Sequence, residues 1–261
     1  MTHRGGARLH QQNWRTHAPV LLDCSALRIL HRDEWVLVVD KPAGMLTVPG
    51  RNDDSVPLSS LVRELEPSAL PVHRLDRDTT GAVVFAVGKQ SHKALNAVFE
   101  GRKAEKVYLA LCRGDLAARQ KIDLPLCELR RGGSRVAEKK EKGAMPSLTE
   151  VEPGERFFGK YTLCICRPRT GRTHQVRVHL AAIGHPLVVD PRYGDERPVR
   201  IGELWSGTPD PDSIVLSRTP LHAQALRLPH PSGKGWLQVE SPMPDDMARC
   251  LDLLSAARRE L

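Results

Sequence analysis

Aromatic side chains are scarce in this chain: Trp, Tyr and Phe together make up 4% of its 261 residues. That supply is too thin for a site built on several aromatic platforms, so any aromatic inside a polar motif carries weight. No apolar run reaches the ~18 residues that would suggest a membrane span. The N-terminal segment MTHRGGARLHQQNWRTHAP is polar and basic without an apolar core, which excludes a secretory signal. A cytoplasmic protein without membrane contact is expected, with residues 1–25 as a flexible basic leader. The six cysteines lack the paired spacing of a zinc site or of a small disulfide framework, so reduced, buried thiols are expected. Walker, G-x-G-x-x-G and H-E-x-x-H motifs are all missing. Neither a nucleotide cofactor nor a metal centre is therefore expected.

Acidic residues are in the minority. Lys and Arg number 39 against 31 Asp and Glu, a formal net charge of +8, and this favours a polyanion as partner. The excess is concentrated. Arg130 to Lys142 holds six basic residues and two acids, while Arg167, Arg169, Arg172 and Arg177 follow one another with no acid between them. The first of these stretches, 130–146, is Gly-containing and almost without apolar residues, and reads as a mobile basic insertion.

Neither a fixed-period repeat nor the strand–helix alternation of a doubly wound sheet appears. Short β-branched or alternating runs predict strands at Leu27–Leu30, Trp35–Val39, Ala82–Val87, Val107–Cys112, Tyr161–Cys166, Leu221–Leu228 and Trp236–Glu240. Helical spacing appears at Leu58, Leu61, Val62 and Leu65, behind a Ser91 cap at Ala94, Leu95, Val98 and Phe99, and again at Met247, Leu251 and Leu254. Between Thr173 and Ile183 the apolar spacing suits a helix capped by Thr173 and stopped by Gly184, yet the β-branched VRVH suits a strand as well. The fold class that follows is α+β: one domain over residues 26–258, with a large, mostly antiparallel mixed sheet flanked by helices and loops.

The densest polar cluster is His73-Arg74-Leu75-Asp76-Arg77-Asp78-Thr79-Thr80-Gly81, directly before the apolar strand GAVVFAV. Nearby positive charge favours the ionised form of Asp76, which can then serve as nucleophile or base. Three more segments stand around it in the chain: Lys41-Pro42-Ala43-Gly44 with Met45 to Gly50, Lys106-Val107-Tyr108-Leu109-Ala110-Leu111, and Arg169-Thr170-Gly171-Arg172-Thr173-His174-Gln175-Val176-Arg177-Val178-His179-Leu180. Gly184-His185-Pro186 and Asp190-Pro191-Arg192-Tyr193-Gly194 complete the series. His174 and His179 are five apart, not the four that would put two metal ligands on one helical face. Gly44, Gly81, Gly171 and Gly194 read as backbone positions needing positive φ or close approach.

In this order and at these distances the segments resemble the RluA family of pseudouridine synthases, over about residues 27 to 245. The resemblance implies a single catalytic domain that isomerises uridine in ribosomal or transfer RNA without cofactor or metal, acting as a monomer. It implies that Asp76 attacks the target nucleoside, that Arg172 pairs with the Asp76 carboxylate, and that Tyr108 stacks against the flipped uracil. It also makes Arg74 the group that fills the space left by the flipped base, with His73, Arg77 and Arg177 as further RNA contacts. Two departures stand out. Many members carry a small RNA-binding domain before the catalytic one, for which residues 1–25 leave no room, and Val189 stands where Gly usually precedes the late Asp. Two other readings compete. An inactive RNA-binding protein of the same fold would bind RNA without isomerising it. A glycoside hydrolase using Asp76 and Asp78 would need its carboxylates to flank a sugar, and neighbours at i and i+2 are poorly placed for that.

Overall fold

The structure is a computed structural model and describes residues 26–259, except 52, 131, 205, 207 and 209. Its elements begin with β1 (Ile29–Arg32), β2 (Val36–Lys41), α1 (Leu58–Leu65), β3 (Ala69–Pro71), β4 (Thr80–Val87), α2 (Gly88–Glu100) and β5 (Glu105–Arg113). The middle of the chain forms β6 (Gln120–Asp123), β7 (Leu126–Glu128), β8 (Ser134–Val136), β9 (Leu148–Phe157), β10 (Tyr161–Pro168) and α3 (Gln175–Ala182). The chain closes with β11 (Val199–Arg200), α4 (Ile201–Leu204), β12 (Ile214–Leu216), β13 (Leu221–Pro229), β14 (Trp236–Glu240) and α5 (Asp245–Arg259).

One ten-stranded sheet dominates, in the order β1-β2-β4-β13-β5-β10-β9-β6, with β14 on β13 and β3 on β4. Every pairing is antiparallel except β4 with β13. The α+β expectation therefore holds. Central strands are apolar on both faces because both faces are covered. In β4, TGAVVFAV, all residues but the last are buried. Val83 and Phe85 face α1 through Leu58, Leu61 and Val62, while Val84 and Ala86 face the side of Leu95 from α2. Near the other end Met247, Cys250 and Leu254 of α5 recur at helical spacing and pack on Leu109, Phe157 and Leu216. The five described cysteines are free and buried, as expected, with Cys112, Cys164 and Cys166 in one apolar cluster.

One row of the sheet explains how distant motifs meet. Lys41 pairs with Gly81, Gly81 with Ala223, Ala223 with Tyr108, and Tyr108 with Cys166. The segments beginning at Lys41, ending at Gly81, spanning Tyr108 and following Cys166 are thereby stacked side by side along one line. Gly81 makes this possible. It has φ +114°, and a Cβ there would lie 2.7 Å from the Ala223 carbonyl carbon, so only glycine lets β4 and β13 pair at this point.

Several local expectations shift. Gly171 has neither positive φ nor a crowded Cβ direction, so its expected backbone role is absent. α2 starts at Gly88 instead of behind Ser91, whose hydroxyl donates to the Trp35 carbonyl at 2.6 Å. The 173–183 ambiguity resolves to helix, but its N-cap is His174 in the left-handed region (φ 55°), not Thr173, which donates to Glu128 Oε1 instead. Val189 is buried beside Leu109 and Leu111, so the side chain in the place of the usual glycine serves the core. The stretch 130–146 contains β8, which pairs with β7, and its Ser134 N–H donates to the Tyr193 hydroxyl at 2.9 Å. Residues 1–25 lie outside the described residues. Among the described residues no helix is long and apolar enough to cross a membrane.

Candidate active site

Asp76 sits in the turn between β3 and β4, and that turn is held from several sides. The Leu75 N–H donates to Thr47 Oγ1 at 3.0 Å, and that hydroxyl donates back to the Leu75 carbonyl at 3.1 Å. Lys41, fully buried, donates from Nζ to the carbonyls of Pro42, Met45 and Arg77 at 2.7–2.8 Å. Burial lowers the Lys41 pKa to about 7, against the pull of Asp78 and Asp76. Arg218, itself clamped by Asp246 at 2.6 and 2.7 Å, donates to the Asp78 carbonyl at 3.1 Å. Thr80 Oγ1 lies 2.9 Å from Nδ1 of the buried His222. These bonds order the backbone on both sides of Asp76 and leave its carboxylate to the pocket.

The carboxylate faces a cavity of about 580 Å³, within the usual ~300–1,000 Å³ of small-molecule sites. Arg74, Asp76, Lys106, Tyr108, Arg172 and His174 all line it. The sequence thus placed Asp76, Tyr108 and Arg172 in a common cavity. The ion pair, however, differs from expectation. Arg177 Nη1 donates to Asp76 Oδ2 at 3.2 Å, and no hydrogen bond or salt bridge joins Arg172 to Asp76. The reason is the helix start: Arg172 precedes α3, whereas Arg177 lies in its first turn, next to the His174 cap that also approaches Asp76.

Arg177 is also gripped from behind. Its Nε and Nη2 donate to Asp190 Oδ2 and Oδ1, each at 2.8 Å. Asp190 is fully buried and its Oδ1 further accepts the N–H groups of Arg192 and Tyr193 at 3.0 and 3.2 Å. Burial opposes charge on both partners. The hydrogen bonds and mutual attraction outweigh it, lowering the Asp190 pKa and raising that of Arg177. Arg177, expected to contact phosphate, therefore has its fork occupied by two carboxylates.

His174 brings Nε2 to 3.7 Å from Asp76 Oδ2, with Nδ1 3.0 Å from the Tyr193 hydroxyl. Burial keeps it neutral, with a pKa lowered to about 4 despite the Asp76 charge. Burial, reinforced by the Asp76 charge, pushes the Tyr108 phenol above its ordinary range. The ring therefore stays un-ionised.

Of the expected RNA contacts, Arg74 is exposed at the pocket and remains available. His73 also lines the cavity, but its Nε2 accepts the Val84 N–H at 2.9 Å, its ring stacks on Phe99 with centroids 4.8 Å apart, and burial lowers its pKa to about 3. Neutral and bonded inward, it holds the turn against β4. Arg77 is paired with Asp53 and donates to the Gly44 carbonyl at 3.2 Å, joining two loops. Lys106, unassigned by the sequence, lines the cavity and donates to the Thr170 carbonyl at 3.2 Å. Burial lowers its pKa to about 8. His179 is bonded to Thr149 and the Leu124 carbonyl at 2.8 and 3.0 Å, so it shares no ligand position with His174.

The profile of the family described as RNA pseudouridylate synthase matches residues 35–182. Ribosomal large subunit pseudouridine synthase C of Escherichia coli O157:H7 is 37% identical over 236 residues, covering 88% of this chain and 70% of that protein. The chain belongs to the RNA pseudouridylate synthase family. Ribosomal large subunit pseudouridine synthase D of Nitrosomonas europaea is likewise 37% identical over 238 residues, 87% of this chain and 65% of that one. The solved human RNA Pseudouridylate Synthase Domain Containing 1 superposes with a TM-score of 0.66 at 27% identity, over 92% of this chain and 97% of that one.

As a pseudouridine synthase this chain is an isomerase acting on RNA. Besides Lys106, two groups behind the cavity had no role assigned from the sequence. Asp190 and Tyr193 stood inside a quoted motif, but their roles depend on contacts with Arg177 and His174 that no linear spacing reveals.

Proposed function

We propose that this pseudouridine synthase modifies uridine in ribosomal RNA of the large subunit, with Asp76 as the attacking group and Arg177 as its ionic partner. The observation that carries the assignment is the Asp76 carboxylate at the cavity, held by a guanidinium whose other edge is anchored on a buried acid. The substrate class draws on the names of the relatives from Escherichia coli and Nitrosomonas europaea.

Uridine and pseudouridine are isomers, so the balance is simple. The bond from the sugar to N1 of uracil breaks, a bond from the sugar to carbon-5 forms, carbon-5 loses its proton and N1 gains one. Asp76 attacks the nucleoside and later departs unchanged. Arg177 keeps it aimed throughout. Tyr108 offers the detached uracil an un-ionised ring on which to turn. Removing the base from its stack costs a few kcal/mol, and the exposed guanidinium of Arg74 is placed to occupy the gap. Arg172, which lines the cavity without pairing to Asp76, offers its guanidinium to the backbone of the bound RNA. The domain is proposed to work as a cytoplasmic monomer without cofactor.

Ribosomal RNA labelled with tritium at carbon-5 tests this reading. The protein should release tritium to water, and Asp76→Asn should bind the RNA with unchanged affinity while releasing none. Release from transfer RNA alone would overturn the substrate, and release by the variant would overturn the role of Asp76.

A further inference from the structure

Far from Asp76 in the sequence, and not among the residues that line its cavity, two turns of the sheet meet. The β1–β2 turn carries Asp33, with His31 on the preceding strand, and His230 directly follows β13. Asp33 Oδ2 lies 2.8 Å from His31 Nε2 and 3.0 Å from His230 Nε2, so two imidazoles from distant parts of the chain converge on one carboxylate oxygen. We propose that His31, Asp33 and His230 form a binding site for a divalent transition-metal ion of the nickel, cobalt or zinc type.

The donor set is two imidazole nitrogens and one carboxylate oxygen, which suits borderline ions of this class and not calcium or magnesium. All three ligand atoms lie within 4.8 Å of one another. At metal–ligand distances of about 2.1 Å, the His–Asp separations of 2.8 and 3.0 Å correspond to angles of about 90° at the ion. Each imidazole thus stands cis to the carboxylate oxygen, as octahedral coordination requires, with further positions left for water. The side chains are 33%, 31% and 16% exposed for His31, Asp33 and His230, so an ion can enter and keep that water.

Outer contacts fix two of the ligands. Asp33 Oδ1 accepts the N–H groups of Trp35 and Val36 at 2.7 and 2.8 Å, which aims Oδ2 at the histidines. Burial works against its charge, but these bonds and the two imidazoles outweigh it and hold the carboxyl below its ordinary range. His230 Nδ1 lies 2.7 Å from Ser232 Oγ, which can accept a hydrogen bond from Nδ1–H once Nε2 binds an ion; the Ser232 N–H, which donates to Nδ1 at 3.3 Å in the metal-free form, then gives up that bond. Without metal the two Nε2–H groups donate to Asp33. An ion replaces both hydrogens and ties together turns about 200 residues apart, which stabilises the fold by mass action.

Tag-free protein titrated with nickel chloride, followed by calorimetry and by thermal melting, tests the site. One ion per chain should bind, with a rise in Tm that depends on ion concentration. His31→Gln and His230→Gln should each weaken binding at least tenfold, about 1.4 kcal/mol, and Asp33→Asn should do the same. Tritium release from RNA should be the same with and without nickel, because the site lies away from the cavity. No saturable binding would overturn the proposal, and so would equal affinity in wild type and the histidine variants.

Discussion

Arg177 donates to Asp76 at 3.2 Å with one edge of its fork while Asp190 holds the other edge at 2.8 Å. The aim of the Asp76 carboxylate is therefore set by a guanidinium that is itself anchored. Arg177→Lys keeps the charge but cannot span both acids, so single-turnover tritium release should slow about a hundredfold or more, with RNA affinity nearly unchanged. Arg172→Ala should do the opposite: affinity about tenfold weaker and a rate at saturation within about threefold of wild type. A large rate loss in Arg172→Ala with a mild one in Arg177→Lys would return the ion pair to Arg172.

Lys41 satisfies three carbonyls from a fully buried position, one of them on the residue after Asp76. Lys41→Met fills the space but removes every donor. Leaving buried acceptors unpaired should cost about 2–4 kcal/mol in urea unfolding. Because the Asp76 turn loosens, the maximal rate should fall as well, while KM for RNA should stay close to that of wild type. A variant as stable and as active as wild type would mean that water replaces the ammonium.

The central strands were legible because their burial on both faces leaves unbroken β-branched runs, as in β2 and β4. β9 was not. Its sequence LTEVEPGERF carries charges on the exposed face and Pro153 and Gly154 beside a register shift against β10, so it reads as a loop. At the site, the meeting of Asp76 and Tyr108 at one cavity was legible from motif resemblance. The partner of Asp76 was not, since choosing between Arg172 and Arg177 requires knowing where α3 begins. VRVH left helix and strand open; the helix turns Arg177 toward Asp76 together with His174. The inward contacts of His73 were hidden for a related reason: its neighbours in sequence are charged, but its bonded and stacked neighbours in space are Val84 and Phe99.

Burial of His73 makes a statement about acid stability. Its pKa falls from 6.5 in the unfolded chain to about 3 in the fold, because the ring is buried and its Nε2 must stay unprotonated to accept the Val84 N–H. The unfolded state then binds more protons between these values, so the stabilisation is complete above pH 6.5 and is lost as pH falls toward 3. His174, lowered to about 4, adds to the same window. Wild-type Tm should drop steeply between pH 6.5 and 4, and His73→Gln, which can still accept the amide hydrogen, should drop less. Parallel curves for the two proteins would show that His73 does not titrate in this window.

Gly81 closes the row that joins the four motifs, and its replacement tests whether that row matters. Gly81→Ala introduces a methyl group against the Ala223 carbonyl and forces an L-residue to φ +114°. Strain and crowding together should cost on the order of 2–4 kcal/mol, lowering Tm by roughly 5–15 °C for a chain of this size. Because Gly81 also ends the Asp76 turn and its partner Ala223 pairs with Tyr108, separation of β4 from β13 moves Asp76 relative to the ring. The surviving folded fraction should therefore bind RNA yet release tritium at least tenfold more slowly. A folded Gly81→Ala protein with wild-type rate would mean that the turn keeps its place without this strand contact, and that Arg177 alone positions Asp76.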